Sequence, residues 1–213
     1  MNPKHAAALL LALAPLAAHA GTIRGEVRQD LAEARAEVRT DLAQERDRLE
    51  NGNLSLDGLH FGKDHGHDAR RHKAVPEGEI TPGGDLLVDG KAVAIDAAQR
   101  RMLLAYRGQV IEVAKTGLDA GERAAMLAID ATDVSLFRMF VGAMTGSLER
   151  RVKATVVREI QPAVLRICQR LPQLRESQQA LATSLPEFRP YATLEEDDVE
   201  DCERDVRSEL AMR

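Results

Sequence analysis

Residues Ile80–Arg107 read ITPGGDLLVDGKAVAIDAAQRRMLLAYR, and the local chemistry of this stretch decides the fold. Ile80-Thr81 leads into a Pro82-Gly83-Gly84-Asp85 turn, Leu86-Leu87-Val88 follows, and Asp89-Gly90 separates that run from Ala92-Val93-Ala94-Ile95. Asp-Gly between two apolar runs is a strong short-range hairpin signal. The pattern predicts a small β-meander over about residues 79–95. At Asp96 the period changes: Asp96 is an N-cap, and Met102, Leu103, Tyr106, Val110, Val113 and Ala114 then share one helical face as far as a stop at Gly117.

Downstream the chain reads as helices. A second is expected over about Ala120–Ala143, where Asp130, Asp133 and Arg138 exclude a membrane span. A third covers Glu149–Arg170, interrupted or kinked by Pro162, and a fourth Leu174–Ser184. Pro186 and Pro190 punctuate a turn before a last, acidic-fronted helix from Leu194 to about Leu210. The fold class is therefore mainly α: a small β-meander followed by a helical domain, together residues 78–213.

Upstream, residues 51–77 form a polar stretch with Asn51-Gly52-Asn53, Gly58, Gly62, Gly66 and Pro76, read as a flexible linker. Before it, residues 21–50 form an amphipathic helical arm with an internal duplication: EVRQDLAEARA (Glu26–Ala36) is followed directly by EVRTDLAQERD (Glu37–Asp47). An eleven-residue period is about 3.67 residues per turn, that of straight or slightly right-handed helical packing. Val27, Leu31, Ala34, Val38, Leu42 and Leu49 make one narrow apolar stripe. A stripe this thin cannot stabilise a lone helix in water. The arm is expected to dock on the main domain, to pair with another helix as a coiled coil, or to remain a solvated, partly frayed extension. Its polar face is not biased towards Lys and Arg, which argues against a membrane-surface helix.

Residues 1–20 read as a secretory leader, with basic Lys4 and His5, an apolar Ala6–Leu16 and an Ala18-His19-Ala20 cleavage site. The apolar run is half the ~20 residues a spanning helix needs, and Pro15 breaks it, so no stable membrane anchor is expected. The compartment is then periplasmic, after cleavage at Ala20. There the two cysteines, Cys168 and Cys202, are expected to pair as a structural disulfide contributing roughly 3–4 kcal/mol by loop-closure entropy.

The formal charge of −5 becomes one unit more negative without Lys4, and the arginines alternate with acids, which excludes nucleic acid as a partner. Aromatics are 3% and tryptophan is absent, so a stacking platform is excluded and aliphatic side chains are expected to fill the core.

The features Ile80-Thr81-Pro82, a turn with Gly84, Asp89-Gly90-Lys91, Ala98-Gln99-Arg100 and Tyr106 resemble the core signature of the YggN-like family of exported bacterial proteins, a family of unknown function. The resemblance covers fewer than about thirty residues. It implies the export and the meander-then-helices layout, and it names no catalytic residue.

Candidate chemistry is sparse. His60, His65, His67 and His72 fall in one thirteen-residue window with Asp64 and Asp68, a composition that suits zinc, copper or nickel. The window lacks the His-x-x-x-His spacing that preforms a site on a helix, so the alternative is a solvated linker. The acidic run Glu195–Asp201 lacks the order of a calcium loop and suits a helix first turn. Without Gly-x-Ser-x-Gly, and with no histidine outside the leader and that window to act as an oriented base, no catalytic residue is assigned and a non-enzymatic protein is expected. Its partner is expected to be another protein or a second copy, met through Val27, Leu31, Val38, Leu42 and Leu49 of the arm.

Overall fold

The computed structural model describes the backbone of residues 3–57, 75–140 and 147–211, and the side chains of 25–57, 75–131, 155, 157–202 and 204. The chain is mainly helical, with a small antiparallel sheet between helices. Its order is α1 (Pro3–Asn51), β1 (Leu54–Ser55), β2 (Gly78–Ile80), β3 (Leu86–Val88), β4 (Lys91–Ala92), α2 (Ala97–Phe140), α3 (Ser147–Ser184), a 3-10 helix (Pro186–Tyr191) and α4 (Glu196–Ala211).

The meander forms where the turn chemistry places it. Asp89 and Gly90 both take positive φ, 49° and 72°, which pins β3 against β4. The sheet order is β1-β2-β3-β4, and the register aligns Leu54 with Ile80 and Ile80 with Leu86. These three side chains are buried in one cross-strand row that forms the sheet's contribution to the core. β1 was not expected. It lies inside the stretch read as linker, where Leu54 and Leu56 supply the apolar pair that the surrounding polar residues obscure.

Asp96 caps α2 as its sequence suggests. Its Oδ1 accepts from the backbone N–H of Ala98 and Gln99 at 2.7 and 2.8 Å, and Gln99 Oε1 accepts from the Asp96 N–H at 2.9 Å. That reciprocal capping box satisfies the donors that a helix start leaves orphaned.

Two helix boundaries differ from expectation. α2 runs through Gly117 without a break, because Gly117 is exposed and costs the helix only about 1 kcal/mol, while its apolar positions continue on both sides. α3 likewise runs through Pro162 and Pro172 as one element. Both prolines are exposed, whereas Ala163, Leu171 and Leu174 beside them are buried, so packing holds the helix where local hydrogen bonds are lost.

The core gathers at one end of these long helices. Leu103, Tyr106 and Val110 of α2 meet Leu171, Leu174 and Leu181 of α3, the sheet row, and Leu185, Phe188, Tyr191 and Leu194. As expected the core is mostly aliphatic, and three aromatics, Tyr106, Phe188 and Tyr191, are packed within it. Tyr106 packs edge-on against Phe188 at 5.3 Å between ring centres, and Phe188 against Tyr191 at 6.0 Å. Buried Gln178 ties the aromatics to the backbone: its Nε2 donates to the Tyr191 carbonyl at 2.9 Å, and its Oε1 accepts from the Leu194 N–H at 2.9 Å. Gly78 lies so close to the Tyr191 ring that a Cβ there would sit 2.4 Å from it.

Cys168 and Cys202 form the disulfide, with Cα atoms 5.6 Å apart, joining α3 to α4. Among the described residues no helix is long and apolar enough to cross a membrane. Beyond the core, α2 and α3 continue side by side as a stalk in which Ala120 and Ala163 are the described buried residues outside the head and its disulfide.

Candidate functional site

α1 lies along this stalk against α2. Among its described residues Val27, Leu31, Ala34, Arg35, Val38, Leu42, Glu45, Arg46 and Leu49 are half-buried, a continuous stripe at helical spacing. The five residues expected to meet a partner are thus on the face turned to α2, and each is half-buried rather than buried. None of the residues from 25 to 51 belongs to the head's core.

The polar contacts set an antiparallel register. Arg35 Nη2 donates to Asp130 Oδ1 at 2.7 Å, and Arg46 Nη2 donates to Asp119 Oδ1 and Glu122 Oε2, both at 2.8 Å. Lys115 pairs with Glu50 nearer the head. The two carboxylates, Glu122 more than Asp119, push the Arg46 guanidinium above its ordinary pKa. Such solvent-screened pairs contribute little to stability, so they specify alignment more than they hold the helix down.

Here the duplication acquires a structural meaning. Arg35 and Arg46 occupy the same position, the tenth, in their respective eleven-residue repeats, and their partners Asp130 and Asp119 are also eleven residues apart. The two bridges are therefore stacked about 16 Å apart along the helices. α2 carries the matching signal, Leu118-Asp119-Ala120-Gly121-Glu122 followed by Ile129-Asp130-Ala131-Thr132-Asp133. Sequence reasoning found the repeat in the arm and missed this shorter echo on α2, which the same self-comparison would have exposed. Asp119, Glu122 and Asp130 also edge an open groove of about 490 Å³ with Arg123, Met126, Leu127 and Glu159.

At its head end α1 is held differently. Arg107, buried on α2, donates through Nη2 to the carbonyl oxygens of Leu49, Glu50 and Gly52 at 3.0, 2.9 and 2.8 Å. A cation at the carboxyl end of a helix satisfies its orphan carbonyls and opposes its dipole. This clamp was not anticipated from sequence, because nothing local distinguishes Arg107 from its neighbours Arg100 and Arg101.

His60, His65, His67 and His72, the candidate metal ligands, lie outside the described residues, as does most of the predicted linker. Among the described residues no group of three or more His, Cys, Asp or Glu side chains has the arrangement to hold a metal ion. Glu196, Asp197 and Asp198 occupy the first turn of α4, where Asp198 accepts from the Glu195 N–H at 2.9 Å, the helix-start role expected of that acidic run. Comparison of the chain with protein-family models, with curated proteins and with solved structures gives no match.

Proposed function

We propose that this chain is an exported, periplasmic, non-enzymatic protein that acts by protein–protein contact in the cell envelope, with α1 as its contact element. Export is supported by the leader-like residues 1–20, by the Cys168–Cys202 disulfide and by the YggN-like segment Ile80–Arg107. The observation that carries the contact reading is the way α1 is held: a stripe half-buried from Val27 to Leu49, clamped at one end, with none of its described residues in the core. An element packed in this manner is available to a partner without unfolding the head.

The test is Leu31→Asp combined with Leu42→Asp in the full chain. Association, read by light-scattering mass and by pull-down from crosslinked envelope, is expected to disappear while the thermal transition of the head persists. An unchanged mass and pull-down profile would reject the reading.

A second reading is favoured by the clustering of His60, His65, His67 and His72 in sequence: periplasmic binding of zinc, copper or nickel. Calorimetry against a variant with all four changed to alanine decides it. Binding weaker than roughly micromolar, or binding retained by that variant, would remove it.

A further inference from the structure

The matched spacing on α1 and α2 defines a partner as well as a register. We propose that α1 exchanges between two copies of this chain, the arm of one docking on α2 of the other through the same pairs, Arg35 with Asp130 and Arg46 with Asp119 and Glu122. This rests on the reading of α1 as the contact element and names its partner.

Three observations carry the inference. The first is complementarity: two arginines one repeat apart face two aspartates one repeat apart, so any helix presenting acids at that spacing is a fit, and α2 of a second copy presents them identically. The second is separability. None of the arm's described residues belongs to the core, and the disulfide ties α3 to α4, leaving α1 without a covalent tether beyond its own chain connection. The third is the join. α1 ends at Asn51, and Gly52-Asn53 connect it to β1, whose Leu54 is locked against Ile80 in the sheet. Opening at Gly52-Asn53 releases the arm and leaves the sheet intact. Because every contact made within one chain is remade between two, exchange replaces the α1–α2 interface without requiring a new one.

Complementary charge reversal tests this in the full chain. One variant carries Arg35→Asp with Arg46→Asp; a second carries Asp119→Arg, Glu122→Arg and Asp130→Arg, so that every acid facing the two arginines is reversed. Each alone places like charges between arm and stalk in either arrangement, whereas an exchanged pair made of one copy of each has one wild-type and one fully reversed interface. On refolding the two together, with one copy tagged, a one-to-one complex of twice the chain mass is expected, while each alone gives no such species. All five substitutions in a single chain should restore wild-type association and thermal behaviour, showing that the reversed pairs support folding. A mixture that stays at single-chain mass while the five-substitution chain behaves as wild type would overturn exchange. If the mixture stays monomeric yet the Leu31→Asp, Leu42→Asp variant loses an envelope partner that wild type captures, exchange falls and the contact reading stands.

Discussion

Arg107 and Tyr106 are adjacent on α2 and serve different partners, the end of α1 and the core. Arg107→Met removes the donor to the carbonyls of Leu49, Glu50 and Gly52 and is expected to weaken the arm's attachment by about 1–3 kcal/mol, read as faster proteolysis within residues 25–51 with the core transition little changed. Tyr106 faces the core, where burial first, opposed by its hydrogen bond with Gln178, pushes its phenol up to about 12. Unfolding returns it to 10.0, so below that value it adds no pH dependence. As pH rises from 10.0 towards 12 the unfolded state loses the proton first, and stability is expected to fall by roughly 1.4 kcal/mol per unit. Urea titrations across that range should show the slope reduced in Tyr106→Phe. Gly78→Ala should destabilise sharply, by roughly 1–3 kcal/mol, because its Cβ has no room beside the Tyr191 ring. None of these roles is readable locally: Tyr106 was placed on the right helical face, but that it meets Phe188 from beyond α3 depends on the tertiary fold.

The elements were readable in type and less so in extent. The Asp-Gly turn, the Asp96 cap and the acidic start of α4 work through contacts within a few residues, so their chemistry is visible in sequence. β1 was missed because two strand residues acquire meaning only from pairing with Ile80 and Glu79, some two dozen positions later. The intrinsic preferences of Gly117 and Pro162 predict a stop and an interruption or kink, whereas packing along the stalk keeps each helix continuous through them. A direct consequence can be measured. Gly117→Ala places a methyl where no neighbouring atom lies within 4 Å, so it should stabilise the protein by about 0.5–1 kcal/mol, seen as a higher thermal midpoint.

Taken together, the elements form a tightly packed head, a stalk of two long helices, and an arm laid along one of them. The disulfide anchors α4 to α3 at the border of head and stalk. Its reduction is expected to lower the thermal midpoint by on the order of 10 °C while leaving the arm's attachment unchanged, since none of the described residues of α1 belongs to the core beside that junction. The candidate site was half visible: the arm's repeat and stripe stood out in sequence, whereas their use against α2 required the antiparallel register to be seen. That the arm is a separable contact element is tested most directly by native-state hydrogen exchange, comparing amides of Val27–Leu49 with those of Leu103–Val110 and Leu171–Leu181. Arm amides are expected to exchange at least about tenfold faster, in a process that leaves the core amides protected. Protection of the arm equal to that of the core, lost only on global unfolding, would contradict it.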